Sequence, residues 1–262
     1  MKKTLSKLVA LATAATLVLG GCSSNTGTSA PSSSGTDSTG STTTAATTTA
    51  PETTPPAASD GDKYEIKDMV TYALQSNEME TFNILQSQSA PTLNVLTNAV
   101  EGLLSVDNYG ELTPALAETW KSDDGGLTWT FNIRKGVKWV DQKGNEKADC
   151  TAQDFVTGLE WILNFHKNMS FNTSMPMELI KGATEYYEYT KTLSEEEGKA
   201  LDLTKFYEMV GVEVPDDYTI IYTCSAPKPY FDTVANYNCM YPLPQGLVAE
   251  LGVDGYLAMN NE

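Results

Sequence analysis

Histidine is almost missing from this chain. Only His166 occurs in 262 residues. It follows an apolar stretch and sits beside Lys167, so it reads as a structural or surface residue rather than a general base. Positive charge is scarce as well, with 17 basic residues against 34 acidic ones and a formal charge of −17. A chain of that sign repels DNA, RNA and anionic headgroups, so no nucleic-acid partner is expected. Four cysteines occur and no Cys-x-x-Cys, which leaves zinc without support. The Gly-x-Ser-x-Gly elbow, the Walker loop and His-Glu-x-x-His are all absent. Carboxylates are plentiful, but no spacing singles out an acid–base pair. No catalytic residue, metal or cofactor is expected, and the chain does not read as an enzyme.

What is present begins at the N-terminus. The opening MKKTLSKLVALATAATLVLGGC has a basic head and an apolar run from Leu8 to Leu19. Twelve helical residues reach roughly 18 Å, too short for a bilayer core of about 30 Å. The pattern is an export signal over residues 1–22. Leu19-Gly20-Gly21-Cys22 resembles the lipobox of bacterial lipoproteins, which makes Cys22 the expected lipidation site, its sulfur the acyl acceptor. Without Lys2, Lys3 and Lys7 the chain keeps 14 basic residues against 34 acidic, a net of −20. Residues 23–61 are rich in Ser, Thr and Pro and hold almost no large apolar side chain. They read as a disordered tether spanning roughly 35 Å. A tether of that kind favours the extracellular face of a Gram-positive membrane. Cys150, Cys224 and Cys239 remain, an odd number. Free buried thiols are expected, with a Cys224–Cys239 bridge as the alternative.

About 200 residues read as folded, enough for one large core or two lobes. Residues 67–74, KDMVTYAL, look like a strand. Leu93, Leu96, Val100, Leu103 and Leu104 recur at helical spacing, with Pro91 in the first turn after Ala90. Asp123-Asp124-Gly125-Gly126 signals a turn. Leu127, Trp129, Phe131 and Ile133 then alternate with Thr128, Thr130, Asn132 and Arg134, the period of a half-buried strand. That alternation settles the stretch TWTFNIRKGVKW, whose mixed cations and aromatics suggest a nucleic-acid patch at first sight. Trp129 belongs to the buried face, away from Arg134, Lys135 and Lys138. Thr151 and Asp154 form a capping box for a helix with the stripe Phe155, Leu159, Ile162 and Leu163. Ser194 and Glu197 repeat the device, and the acidic run there suits a helix start better than a metal site. Asp216-Asp217 turns a hairpin that places Tyr218, Ile220 and Tyr222 on one face. A Pro-rich bend and a short helix follow.

The segments NAVEGLLSVDNYGELTPALAETW, GGLTWTFNIRKGVKWVD, CTAQDF, VGVEVPDDYTIIYTCSAPKPYFDTV and YPLPQGLVAELG follow one another in a characteristic order. In that order the chain resembles family 5 solute-binding proteins, the oligopeptide- and dipeptide-binding components of ABC importers, over about residues 67–253. The resemblance implies an α/β, periplasmic-binding-protein-like fold of type II with an additional small domain. Residues 62–106 would open the first lobe, 107–244 form the small domain and 245–262 start the return into that lobe. The expectation is a fold truncated before its second large lobe, hence an N-terminal fragment that alone binds peptide weakly. The resemblance also implies a monomer that captures a peptide ligand, held to the membrane through Cys22 and serving an ABC permease and ATPase complex. Gln88, Ser89 and Ala90 match the loop that presents backbone groups to the ligand, and Phe171 or Asn172 is placed beside a side-chain pocket. Two other readings share the features: another solute, such as an oligosaccharide or nickel complex, or a surface receptor or adhesin without transport.

Trp129→Ala removes a core aromatic, a loss of about 3–5 kcal/mol. It is expected to unfold the 107–244 segment, seen as lost circular dichroism. Gln at positions 134 and 138 of this scaffold should leave transport by a full-length relative intact.

Overall fold

The order of elements follows from where the apolar pattern changes period. In the computed structural model, residue 79, residues 81–169 and residues 171–261 are described. The signal segment, Cys22, the tether and the strand expected over 67–74 lie outside the described residues. In chain order come α1 (Ala90–Leu96), β1 (Leu104–Val106), β2 (Leu112–Pro114), β3 (Ala117–Lys121), β4 (Thr128–Ile133), β5 (Lys138–Val140) and β6 (Glu146–Asp149). Then follow α2 (Ala152–Leu163), α3 (Ser174–Leu179), α4 (Ala183–Lys191), α5 (Glu195–Ala200) and α6 (Leu203–Met209). The chain continues through β7 (Val212–Asp216), β8 (Thr219–Thr223), α7 (Phe231–Val234), a 3-10 turn (Asn238–Met240) and α8 (Gln245–Asn261).

The main sheet has the order β3-β4-β8-β7 and is antiparallel throughout. Its register sets Trp129 opposite Tyr222 and Phe131 opposite Ile220. All four are buried, and Trp129, Phe131, Tyr222 and Phe231 meet as neighbouring aromatic pairs. Period two therefore holds from Thr128, with Thr128, Thr130 and Asn132 facing outward. Leu127 departs from the expected strand face. It is exposed and lies outside β4, because the Asp124 carboxylate accepts the Leu127 and Thr128 N–H groups and holds Leu127 in the turn that ends where the strand begins. Gly125 and Gly126 in that turn have φ of 74° and 93°, a region glycine enters freely.

The helix at α1 is shorter than the leucine spacing suggests. The Thr97 hydroxyl and the Asn98 amide donate to the carbonyls of Leu93 and Asn94, which satisfies the helix end and releases the chain. Leu103 and Leu104 still enter the core, but Leu104 from β1 and Leu103 from the bend just before it. The capping boxes at Thr151/Asp154 and Ser194/Glu197 both form. The second stretch divides at Asp202, whose carboxylate caps α6 through the Thr204 N–H.

Helix α2 is the centre of the core. Eleven of its twelve residues are buried, so the expected stripe of Phe155, Leu159, Ile162 and Leu163 is only part of its contact surface. Gly158 lets the chain at Tyr241 approach closely: a Cβ there would lie 2.2 Å from the Tyr241 carbonyl oxygen. One face carries Glu160, 2% exposed. Its Oε2 accepts from Lys167 Nζ at 2.8 Å, and its Oε1 from Asn164 Nδ2 at 3.0 Å and the Tyr186 hydroxyl at 2.8 Å. Lys167 also donates to the Leu201 carbonyl and Asn164 to that of Gly198, tying α2 to α4 and to the α5–α6 segment. Burial, and then the Glu160 charge, push the Tyr186 phenol well above its ordinary range, so it stays a donor.

Cys150, Cys224 and Cys239 are free and buried, as expected. Burial pushes Cys150 and Cys239 up to about 12 and Cys224 to about 11, so all three remain thiols at neutral pH. His166 holds a structural place, with Nε2 3.1 Å from the Leu193 carbonyl oxygen. Arg134, Lys135 and Lys138 are exposed, and Lys138 pairs with Asp149. Among the described residues no helix is long and apolar enough to cross a membrane.

Lys167→Met leaves the Glu160 carboxylate buried without its cation. A loss of about 3–5 kcal/mol is expected in denaturant unfolding. Glu160→Gln in the same chain should recover a measurable part of it. Additive losses in the double variant would show that the two charges are not coupled.

The turn carboxylates give a second expectation. Asp124, Asp141 and Asp216 lie below the ordinary value of 3.8. The main causes are the Thr128 N–H for Asp124, the Asn145 side chain and then its N–H for Asp141, and the Tyr218 N–H for Asp216. Depressed acids stabilise the fold above their unfolded value, and that contribution disappears as pH falls through the folded values. Between pH 5 and pH 2 the protein should lose stability more steeply than a variant carrying Asn at all three positions. Parallel denaturation curves would contradict this.

Candidate ligand-binding site

Residues 81–89 run into α1 as a buried, irregular segment. Thr81, Asn83, Ile84, Leu85, Gln86 and Ser87 are buried, whereas Gln88 is exposed. The segment is turned by its own polar groups. The Asn83 side chain accepts the Leu85 N–H, and the Asn83 carbonyl accepts those of Gln86 and Ser87. The Ser87 hydroxyl accepts the Ser89 N–H, and the Phe82 N–H donates to the Asn260 carbonyl at the end of α8. Leu85 belongs to the main core and is fully buried, which anchors the loop from within.

A second segment arrives from the end of α2. After Asn164 the chain turns through Lys167 and Asn168, both buried. The Asn168 side chain donates to the Phe171 carbonyl at 2.7 Å. Asn172 follows with a φ of 55°, left-handed backbone that Asn tolerates better than most residues. A third segment is the 3-10 turn, which brings Asn238 to the same place.

These three segments enclose an open hollow of about 500 Å³. Ser87, Gln88 and Leu93 line one side. Asn172, Thr173, Ser174 and Asn238 line the other. No lining residue carries a charge, although acids outnumber bases two to one in the chain. Hydrogen-bonding groups surround one apolar residue, Leu93, a composition suited to orienting a small ligand or one segment of a larger one. A second hollow, of about 550 Å³, lies where the sheet meets its turns, lined by Glu118, Lys135, Asp216 and Asp217 among others. The Asp216 carboxylate there serves the turn, accepting from the Tyr218 N–H and the Thr219 hydroxyl. No group of three or more His, Cys, Asp or Glu residues able to hold a metal ion occurs among the described residues.

The matched region is now defined by both pattern and fold. Residues 111–256 match the family described as "Bacterial extracellular solute-binding proteins, family 5 Middle". The chain belongs to this solute-binding family. Among similar proteins, the oligopeptide-binding protein AmiA of Streptococcus pneumoniae is 35% identical over 175 residues, covering 67% of this chain and 24% of AmiA. The oligopeptide-binding protein SarA of Streptococcus gordonii is 34% identical, covering 71% of this chain and 26% of SarA. The crystal structure of Haemophilus influenzae OppA in complex with RPPGFSPFR superposes with a TM-score of 0.52 at 27% identity. It covers 69% of this family 5 chain and 31% of OppA. The chain thus spans about a quarter of the length of these curated relatives. The α/β solute-binding fold is the one expected from the sequence.

Of the expected ligand residues in this family 5 protein, Gln88 lines the hollow. Ser89 and Ala90 are next in the chain, Ser89 as the N-cap and Ala90 as the first residue of α1. Phe171 is half-buried and precedes Asn172, which lines the hollow in its place. Ser87, Thr173, Ser174 and Asn238 were not singled out from the sequence, and Leu93 was read only as part of a helical apolar stripe. Asn238 stands 150 residues from Gln88, and no local period marks it.

Proposed function

We propose that this chain supplies one wall of the peptide site in an extracellular substrate-binding subunit of an ABC importer. The observation that carries the reading is the uncharged hollow in which Gln88, Asn172–Ser174 and Asn238 converge, within a family whose similar members are named oligopeptide-binding proteins. Peptides of varied sequence share only their backbone. A neutral, hydrogen-bonding wall can engage that backbone without selecting the charge of the side chains. The subunit is a monomeric carrier without catalytic activity that delivers peptides to a permease and its ATPase. The lipobox at Cys22 and the tether to residue 61 support a lipid anchor on the outer face of a Gram-positive membrane. With the first lobe opening over 62–106 and the small domain over 107–244, as the sequence suggests, the lining residues come from both. Because the hollow is open, much of a bound peptide would stay in water, and this wall is expected to hold peptide weakly.

An NMR titration of the chain with a mixed-sequence nonapeptide of no net charge tests this. A neutral peptide avoids unspecific attraction to a chain of charge −17. Amide shifts are expected at Gln88, Ser89, Ala90, Phe171, Asn172 and Asn238, saturating on the order of 1 mM or above. Shifts confined to the hollow at Glu118 and Lys135, or no shifts at all, would refute the assignment.

A further inference from the structure

The loop that carries Gln88 is gripped from outside by two side-chain amides. Asn172 Nδ2 lies 2.5 Å from the Leu85 carbonyl oxygen and 3.2 Å from that of Ser87, and donates to both. Asn238 Nδ2 donates to the Ile84 carbonyl at 2.9 Å and to that of Ser87 at 3.3 Å. Two elements remote in sequence therefore meet on one carbonyl, that of Ser87. Ile84, Leu85 and Ser87 are 3%, 0% and 1% exposed. A carbonyl left unpaired at such depth carries its full desolvation cost.

A primary amide has two N–H donors. Two contacts at Asn172 and two at Asn238 commit all four to the loop. Neither side chain keeps an amide N–H for a ligand, although both residues line the hollow. Their amide nitrogens are turned toward the protein, and the loop that presents the exposed Gln88 takes its shape from them. The backbone of Asn172 agrees with this, since its left-handed φ of 55° is set locally, next to the Asn168–Phe171 turn.

We infer that Asn172 and Asn238 are positioning residues: they hold loop 83–89 in its ligand-ready shape and through it set peptide affinity. The inference rests on the proposed reading of the hollow as a peptide site. It predicts loss of binding from residues whose donors never reach the peptide.

The experiment uses the full chain and three variants. Asn172→Asp and Asn238→Asp keep side-chain shape but replace the donor with an oxygen facing a carbonyl. Asn172→Gly keeps the left-handed backbone accessible and removes the amide, which guards against misfolding caused by strain. Hydrogen exchange at the Leu85, Gln86, Ser87 and Ser89 amides should quicken about tenfold or more, while β4 and β8 stay protected. The initial slope of the nonapeptide titration should fall about tenfold in each variant. A loosened loop with an unchanged slope overturns the positioning role and leaves the peptide reading standing. A lost slope with unchanged loop exchange also overturns it, because the amides would then act on the peptide directly. Absence of peptide shifts in the parent chain defeats the peptide reading, and the inference with it, whatever the exchange rates show.

Discussion

Glu160 and Lys167 form an ion pair in the middle of the fold, with side chains 3% and 9% exposed. Removing two charges from water is expensive, and the expense is met only where the remaining lone pairs and protons find partners. Here they do. Tyr186 and Asn164 complete the carboxylate, and the Leu201 carbonyl accepts a further hydrogen bond from the ammonium. Each partner comes from a different part of the helical layer, so the pair can be satisfied in one arrangement of α2, α4 and the α5–α6 segment. Lys167 also begins the short connection to Asn172. The constraint that orders the helices thus fixes where the chain emerges toward the hollow.

The surplus of acid has a structural use as well. Asp107, Asp124, Asp141 and Asp216 each accept backbone N–H groups at a hairpin turn. Asp154, Asp202 and Glu197 do the same at helix starts. A carboxylate satisfies several donors at once, and in short strands and helices a large share of the donors sits at ends. Asp154 shows the limit. Burial raises its carboxyl although the Gln245 and Thr151 N–H groups bond to it, because desolvation outweighs both bonds. The net charge of this chain therefore says as much about turn and helix-end chemistry as about partners.

The hollow stands apart from that pattern in having no charge at all. Neutral amides and hydroxyls give it hydrogen-bonding capacity without a long-range preference for ligand charge, which separates it from the carboxylate-lined hollow at the sheet turns. Similar proteins are named oligopeptide-binding proteins, and the neutrality of the wall is the physical feature behind the proposed peptide site.

Local chemistry was legible in the residues alone. The alternation through Trp129, Phe131 and Ile133, the turn at Asp124-Gly125-Gly126 and both capping boxes depend on neighbours a few positions apart, where backbone geometry leaves few options, and the odd number of cysteines left at least one thiol free. The motifs that mark the family lie in those same segments. Errors arose where local spacing was ambiguous. Leu103 and Leu104 fit a helical period but reach the core from β1 and the bend just before it, and Leu127 fits a strand but is held in a turn by Asp124. Of the site, Gln88 and its neighbours were legible as a loop before a helix. Thr173, Ser174 and Asn238, the grip of two amides on one carbonyl, and the burial of Glu160 with Lys167 were decided by the tertiary structure. Glu160 and Lys167 are seven residues apart, but the partners that satisfy them, Tyr186 and Leu201, and those of the amide grip are separated by tens to more than a hundred residues, and only packing brings their polar atoms within hydrogen-bond distance.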